Sequence, residues 1–159
     1  MNTVYLLLGS NMGNSEQMLS LSTNMIERNI GELTKSSAIY RTAAWGNEDQ
    51  RDFLNQIIII SSSLSSSAVL KEIFVIEKEM GRVRTTKNAA RVIDIDMLFF
   101  NDEIIQTENL TVPHKQIQNR RFVLVPLAEI SPDFQHPLFK KSSLELLSIC
   151  SDKLNVQKN

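Results

Sequence analysis

The spacing of apolar positions changes period several times along the chain, and each change marks an element. Residues 3–8 are almost wholly apolar and read as a buried strand that ends at Gly9-Ser10-Asn11. Gly13-Asn14 then leads into a helix, with Asn14 as N-cap, Gln17 in capping-box spacing, and Met18, Leu21, Met25 and Ile26 recurring at helical intervals before Gly31. Residues 35–40 predict a weaker strand, and a polar loop over 41–50 holds Trp45. Residues 53–63 predict a strand whose Ile57-Ile58-Ile59-Ile60 core suits cover on both faces. Serines then supply N-caps for a helix over about 66–80, with Val69, Leu70, Ile73, Ile76 and Met80 as its stripe. Residues 91–100 read as another strand. A turn at Asn101-Asp102-Glu103, a short strand over 103–106 and a loop at 111–114 follow. A helix over 119–130 should be broken or kinked by Pro126, and a helix over 142–150 precedes a polar tail.

The order β-α-β-β-α-β, then a strand and two helices, predicts an α+β fold of ferredoxin-like type. Helices would pack on a central, mostly antiparallel sheet. The 91–100 segment would be its fourth strand, hydrogen-bonded deep in the sheet. Side chains alternate along a strand, so Ile93, Ile95, Met97 and Phe99 share one face, and Asp94 and Asp96 share the other. Two carboxylates roughly 6–7 Å apart repel each other, and apolar neighbours oppose their ionisation further. A hard cation such as Mg²⁺ would relieve both costs. A half-exposed strand with two solvated acids is the alternative at this point.

The surroundings sharpen the choice. Glu77 lies on the apolar stripe of its helix and needs a partner, through either a buried ion pair with an arginine or a ligand role. Arg82, Arg84, Lys87 and Arg91 follow with no acid between them, either as a solvated run or as a clamp for phosphate oxygens. Of the histidines, only His114 is near other candidates in sequence. The turn after the first strand lacks both P-loop and dinucleotide spacing, so a structural turn is the better reading.

Composition narrows the class. The chain has 159 residues with 42% hydrophobic and 22% charged, which fits one ordinary globular domain spanning 1–159. A net charge of −1 gives no field that would draw in nucleic acid or anionic membrane, so any anion site must be local. Cys150 is the only cysteine, which excludes an internal disulfide and suggests the cytoplasm. The N-terminus lacks a secretory signal pattern, and no apolar run is long enough to span a bilayer. A monomer is expected.

Several motifs in order resemble the 6-hydroxymethyl-7,8-dihydropterin pyrophosphokinase family. They are Gly9-Ser10-Asn11, Tyr40-Arg41-Thr42, Phe53-Leu54-Asn55, Gly81-Arg82-Val83-Arg84, Arg91 with Asp94 and Asp96, Leu110-Thr111-Val112-Pro113-His114, and Asn119-Arg120 with Phe122. The match runs from about residue 3 to residue 134. The resemblance implies a ferredoxin-like fold and transfer of pyrophosphate from ATP to the hydroxymethyl group of a dihydropterin. It also implies release of AMP, use of two Mg²⁺ ions, and a place in folate biosynthesis. It assigns Asp94 and Asp96 to the metals, and Arg82 and Arg91 to catalysis with them. Glu77, Arg84, Met97, Thr111, His114, Lys115 and Arg120 join Arg82 and Arg91 on the nucleotide side. Thr42, Ala43, Ala44, Trp45, Phe53, Asn55 and Phe122 form the pterin pocket.

Some positions depart from the family pattern. Lys87-Asn88-Ala89-Ala90 stands where the family often has Arg-Trp-Gly-Pro, Ala43-Ala44 replaces Pro-Pro, Phe53 replaces tyrosine, and Asn109 replaces an arginine. Two readings of other classes stay open: a non-catalytic nucleotide-binding module, and a metal-dependent phosphohydrolase.

Overall fold

The computed structural model describes residues 1–44, 50–81 and 91–159. The long strands are β1 (Asn2–Ser10), β4 (Phe53–Ser62) and β5 (Asp94–Phe100), with β2 (Glu32–Ser36) and β3 (Tyr40–Thr42) between the first two. Helix α1 (Ser15–Asn29) follows β1, and α2 (Ser66–Glu79) follows β4. A small hairpin, β6 (Ile105–Gln106) with β7 (Thr111–Val112), leads to α3 (Arg121–Ile130), α4 (Ser143–Ile149) and a last strand, β8 (Gln157–Lys158).

The main sheet runs β5-β1-β4-β3-β8, with β2 also paired to β4, and every pairing in it is antiparallel. This is the ferredoxin-like order with a one-strand extension from the tail. Helices cover both faces. Leu6, Leu8, Ile58, Ile60, Ile73, Ile76, Ile93 and Ile95 form one core with α1 and α2. Tyr5, Leu7, Ile57, Ile59, Leu98, Phe99, Val123, Leu124 and Leu127 form the other beneath α3 and α4. The isoleucine run of β4 is thus divided alternately between two cores, as its two-sided apolarity predicts. Fully burying one such side chain contributes about 1.5–3 kcal/mol.

Local chemistry sets the helix ends. The Asn14 side chain accepts from the Gln17 amide at 3.1 Å, and Ser65 caps α2 by accepting from the Ala68 amide at 3.2 Å. Gly81 follows α2 with φ 87°, the left-handed conformation that glycine adopts without steric cost.

Four expectations are corrected. The strand expected over 35–40 is two strands, because the chain bulges between them. Ser36 faces Ile58 while Tyr40 faces Asn55, and the Ser37 hydroxyl takes the Ile57 amide at 3.0 Å. The twin-aspartate strand lies at the end of the sheet, not deep within it. Its outer edge is capped by the Glu77 carboxylate on the Ile95 amide (2.9 Å) and by the His114 amide on the Leu98 carbonyl (3.0 Å). Phe99 does not share a face with Ile93, Ile95 and Met97. Tyr5 pairs with Phe99 but Leu6 pairs with Met97, so Leu98 is an extra residue that turns Phe99 into the second core. Helix α3 is not broken at Pro126, its sixth residue, where only the Phe122 carbonyl loses its helical partner.

Candidate active site

The register of the sheet assembles the site. Asp94 faces Gly9, Gly9 faces Asn55, and Asn55 faces Tyr40, so these residues form one continuous rung. Directly opposed residues project to the same face, here the face that α3 covers farther along the strands. Asp96 lies on that face opposite Leu7, and Phe53 opposite Thr42. Gly9 has no side chain, and the Asn55 side chain lies over it, where a β-carbon would stand 2.9 Å from Asn55 Oδ1. Two strand spacings separate Asp94 from Asn55, about 10 Å.

The acidic side is well defined. Arg91 Nη1 donates to Asp94 Oδ2 at 2.7 Å, a charge-assisted contact between half-buried groups. The Asp96 carboxyl is pushed up to about 7, first by burial, then by the charges of Asp94 and Glu77, against the opposing pull of Arg120 and Arg91. Arg120 has its own pKa lowered by burial and by Arg91, with Asp96 and Asp94 acting the other way. Arg91, Arg120, Asp94 and Asp96 therefore form one electrostatic cluster drawn from β5 and the start of α3. The Arg120 guanidinium also stands 5.7 Å from the Phe122 ring centroid, within cation–π range.

His114 borders this cluster. Its pKa is lowered to about 4 by burial and by Arg120, with Asp94 opposing and Lys115 adding to the depression. It is neutral at pH 7. Its Nδ1 accepts from the Gln116 amide at 3.1 Å, which leaves Nε2 as the protonated, donating nitrogen.

Across Gly9 the pocket is polar with apolar edges. Asn55 is buried and its Nδ2 donates to Thr42 Oγ1 at 3.2 Å. Ala44 is buried, Ala43 is exposed, and Phe53 and Phe122 are half-buried.

The structure brings together Arg91, Asp94, Asp96, His114 and Arg120 on one side, and Thr42, Phe53 and Asn55 on the other. Glu77 is buried and holds the strand that carries both acids, through the Ile95 amide. The side chain of Met97 lies in the core on the opposite face, so contact with a nucleotide would come through its main chain. Thr111 is half-buried at the end of β7, and Lys115 is exposed. Trp45, Arg82 and Arg84 lie outside the described residues. Two contributors escaped the sequence reading: Gly9, whose bare backbone leaves room for the Asn55 side chain, and Asn11, whose side chain meets residues 50, 51 and 91. Their signal was the turn motif Gly9-Ser10-Asn11, whose role only the sheet register exposes.

The donor set fits a hard divalent cation. Asp94 and Asp96 offer oxygen ligands on one face, and a cation there would relieve the repulsion that raises the Asp96 pKa. Among the described residues no group of three or more His, Cys, Asp and Glu gathers as a metal cage. Mg²⁺ usually takes one or two carboxylates and leaves its other positions to water and phosphate.

Fold and cluster together define a class: a phosphate-transferring enzyme on a ferredoxin-like sheet. The particular family follows from comparison. The chain belongs to the 7,8-dihydro-6-hydroxymethylpterin-pyrophosphokinase (HPPK) family, whose model matches residues 5–132. It is 40% identical to the 2-amino-4-hydroxy-6-hydroxymethyldihydropteridine pyrophosphokinase of Aquifex aeolicus, over 89% of this chain and 88% of that one. It is 39% identical to a folic acid synthesis protein of Dictyostelium discoideum over 86% of this chain, which is 20% of that longer protein. Plasmodium falciparum HPPK-DHPS superposes with a TM-score of 0.76 at 18% identity, over 93% of this chain. The chain spans 43% of that solved chain, and at this identity the likeness carries the fold alone.

Proposed function

We propose that this chain transfers the pyrophosphoryl group of ATP to the hydroxymethyl group of 6-hydroxymethyl-7,8-dihydropterin, releasing AMP, a step of folate biosynthesis. The observation that carries this reading is the rung Asp94–Gly9–Asn55. It sets an acidic, cation-attracting side about 10 Å from a buried amide that can read a pterin edge. The family membership and the pyrophosphokinase relatives support the reaction.

In the proposed mechanism Asn55, with Thr42, offers both donor and acceptor to the flat heterocycle, whose faces meet Phe53 and Phe122. Ala43, Ala44 and Trp45 complete the pterin side. Asp94 and Asp96 would hold two Mg²⁺ ions. When bound, these supply charge neutralisation on the phosphates and activation of the substrate hydroxyl. The hydroxyl oxygen attacks the β-phosphorus, its proton departs, and the bond to the oxygen bridging to the α-phosphate breaks. Negative charge develops on that leaving oxygen. Arg91 and Arg120, with Arg82 and Arg84, neutralise it, while Thr111, Lys115 and the neutral His114 bind the nucleotide. Glu77 acts by fixing β5, and Met97 through its main chain. Catalysis is then alignment and charge compensation, with no covalent protein intermediate. The enzyme works as a single domain over 1–159, as a monomer in the cytoplasm.

AMP production from ATP, Mg²⁺ and the hydroxymethyldihydropterin tests this directly. Asp94→Asn and Asp96→Asn should each lower turnover by about 10²–10³-fold, since each removes an interaction with developing charge. Wild-type AMP production no greater than that of a reaction without the enzyme would refute the activity. Unchanged rates in both variants would refute the metal assignment.

A further inference from the structure

Tyr40 stands in one of the sequence motifs, yet the proposed chemistry gives it no part. It is 6% exposed, and it directly opposes Asn55, so the two side chains share a face of the sheet. Thr42 is two residues on and lies on the same face, about 7 Å away. The strand that carries Tyr40 and Thr42 is only three residues long. It is nevertheless paired along both edges, to β4 through Phe53, Leu54 and Asn55 and to β8 through Gln157 and Lys158. Whatever is fastened to β3 is therefore fastened to the sheet.

Helix α3 is fastened there. The Tyr40 hydroxyl donates to Glu129 Oε1 at 2.7 Å, and both Glu129 oxygens accept from the Ala38 amide at 3.2 Å. Lys35 Nζ adds a tie from β2 to the Ile130 carbonyl at 2.9 Å. Phe122 precedes Glu129 by seven residues, two turns of helix, which sets it within about 20° of the same face and about 10 Å away along the axis. At the Phe122 end, Asp152 takes the Arg121 amide at 3.0 Å, a tie to the tail and not to the sheet. Burial of Leu124 and Leu127 presses the helix onto the sheet but has no direction. The bonds to Tyr40 and Ala38 do have direction, so they decide where along β3 the helix lies.

We propose that Tyr40 and Glu129 are positioning residues for the pterin: their bond sets the gap between Phe122 on α3 and Phe53 on the sheet, in which the flat heterocycle lies. The role rests on the ATP-and-pterin reading above. Neither residue touches the substrate; Glu129 acts through Phe122, and Tyr40 anchors it beside Thr42 and Asn55.

Tyr40→Phe removes the hydroxyl and keeps the buried ring, and with it the fold. Glu129→Ala removes the acceptor. Glu129→Gln keeps one oxygen in the place of Oε1, which accepts from both Tyr40 and Ala38. Calorimetry would measure the dissociation constant of the hydroxymethyldihydropterin on the full chain saturated with a non-hydrolysable ATP analogue and Mg²⁺, and that of the analogue by itself. Tyr40→Phe and Glu129→Ala should each weaken pterin binding by about 3–10-fold, the loss of one hydrogen bond. The double variant should lose no more than Glu129→Ala alone, because the two side chains act through one bond. Glu129→Gln should bind pterin within about twofold of the wild type, and every variant should bind the analogue within about twofold. A general loss of stability would lower the melting temperature without separating the two ligands.

Wild-type pterin affinity in Tyr40→Phe, additive losses in the double variant, or an equal loss for the analogue would each overturn the positioning role. So would a Glu129→Gln variant as weak as Glu129→Ala. A wild-type chain that binds no pterin would instead overturn the ATP-and-pterin reading, and the role of the Tyr40–Glu129 bond with it.

Discussion

At the scale of single residues, the site depends as much on an absent side chain as on the charged ones. A β-carbon on Gly9 would lie 2.9 Å from Asn55 Oδ1, closer than real β-carbons approach a neighbour. Asn55 is buried and bonded to Thr42, so it has little room to yield. Gly9→Ala should displace it and weaken recognition of the pterin edge. Loss of one such buried hydrogen bond corresponds to about tenfold. Steady-state kinetics with each substrate varied in turn should show the KM for pterin rising about tenfold and the KM for ATP rising less than about twofold. Equal increases in both would mean that Gly9 does not act through Asn55. The acid pair was legible from strand alternation alone. The reason for Gly9 was not, because it comes from the register of β1 against β4, which local sequence does not specify.

At the scale of elements, legibility follows how local the cause is. The ends of α1 and α2 were readable because Asn14 and Ser65 cap within three residues. The break between β2 and β3 was not, since it follows from Ser37 bonding to Ile57 across the sheet. The turn of Phe99 into the second core depends on a one-residue bulge opposite Tyr5 and Leu6. Strand β8 escaped because its residues are polar and pair only by tertiary contact with Tyr40 and Arg41. Helix α3 was expected over 119–130 and is found at Arg121–Ile130, but what closes its start was not legible. No side chain at its own N-cap closes it; Asp152, 31 residues away, accepts the Arg121 amide at 3.0 Å. Its far end is tied by Glu129, which accepts from the Tyr40 hydroxyl at 2.7 Å. The tail therefore stabilises the helix whose first turn carries Arg120 and Phe122. Asp152→Ala should cost about 1 kcal/mol, a typical capping loss. In a domain of this size that lowers Tm by about 2–4 °C. An unchanged melting curve would show that water replaces the cap at no cost.

At the scale of the whole molecule, the core beneath α3 and α4 sets how stability responds to pH. Phe99, Phe134 and His136 pack together there, with the His136 ring 5.6 Å from Phe99 and 4.4 Å from the exposed Phe139 ring. His136 is 2% exposed, and its Nδ1 accepts from the Leu138 and Phe139 amides at 3.1 and 3.3 Å. Its Nε2 is buried with no hydrogen-bond partner among the described residues. Charging this ring would place a cation among aromatic side chains and remove its acceptor, and burial accordingly lowers its pKa from 6.5 to about 4. The unfolded chain therefore binds a proton that the native chain refuses as the pH falls through 6.5. Protonation favours unfolding across that window, and the loss levels off only near pH 4, where the native ring also charges. From pH 8 to pH 5 this one group should reduce the unfolding free energy by about 2 kcal/mol. His114, lowered to about 4 as well, adds a comparable amount. Urea unfolding at pH 8, 6.5, 5.5 and 5 measures the slope. Asp96 opposes both, because its raised native pKa makes the folded chain take up that proton first as the pH falls. His136→Asn keeps an acceptor near Nδ1 and cannot titrate in this range, so between pH 6.5 and 5 its unfolding free energy should fall by about 1.5 kcal/mol less than that of the wild type. A variant slope equal to the wild type would mean that native His136 takes up its proton at an ordinary pKa, with the core opening to admit it.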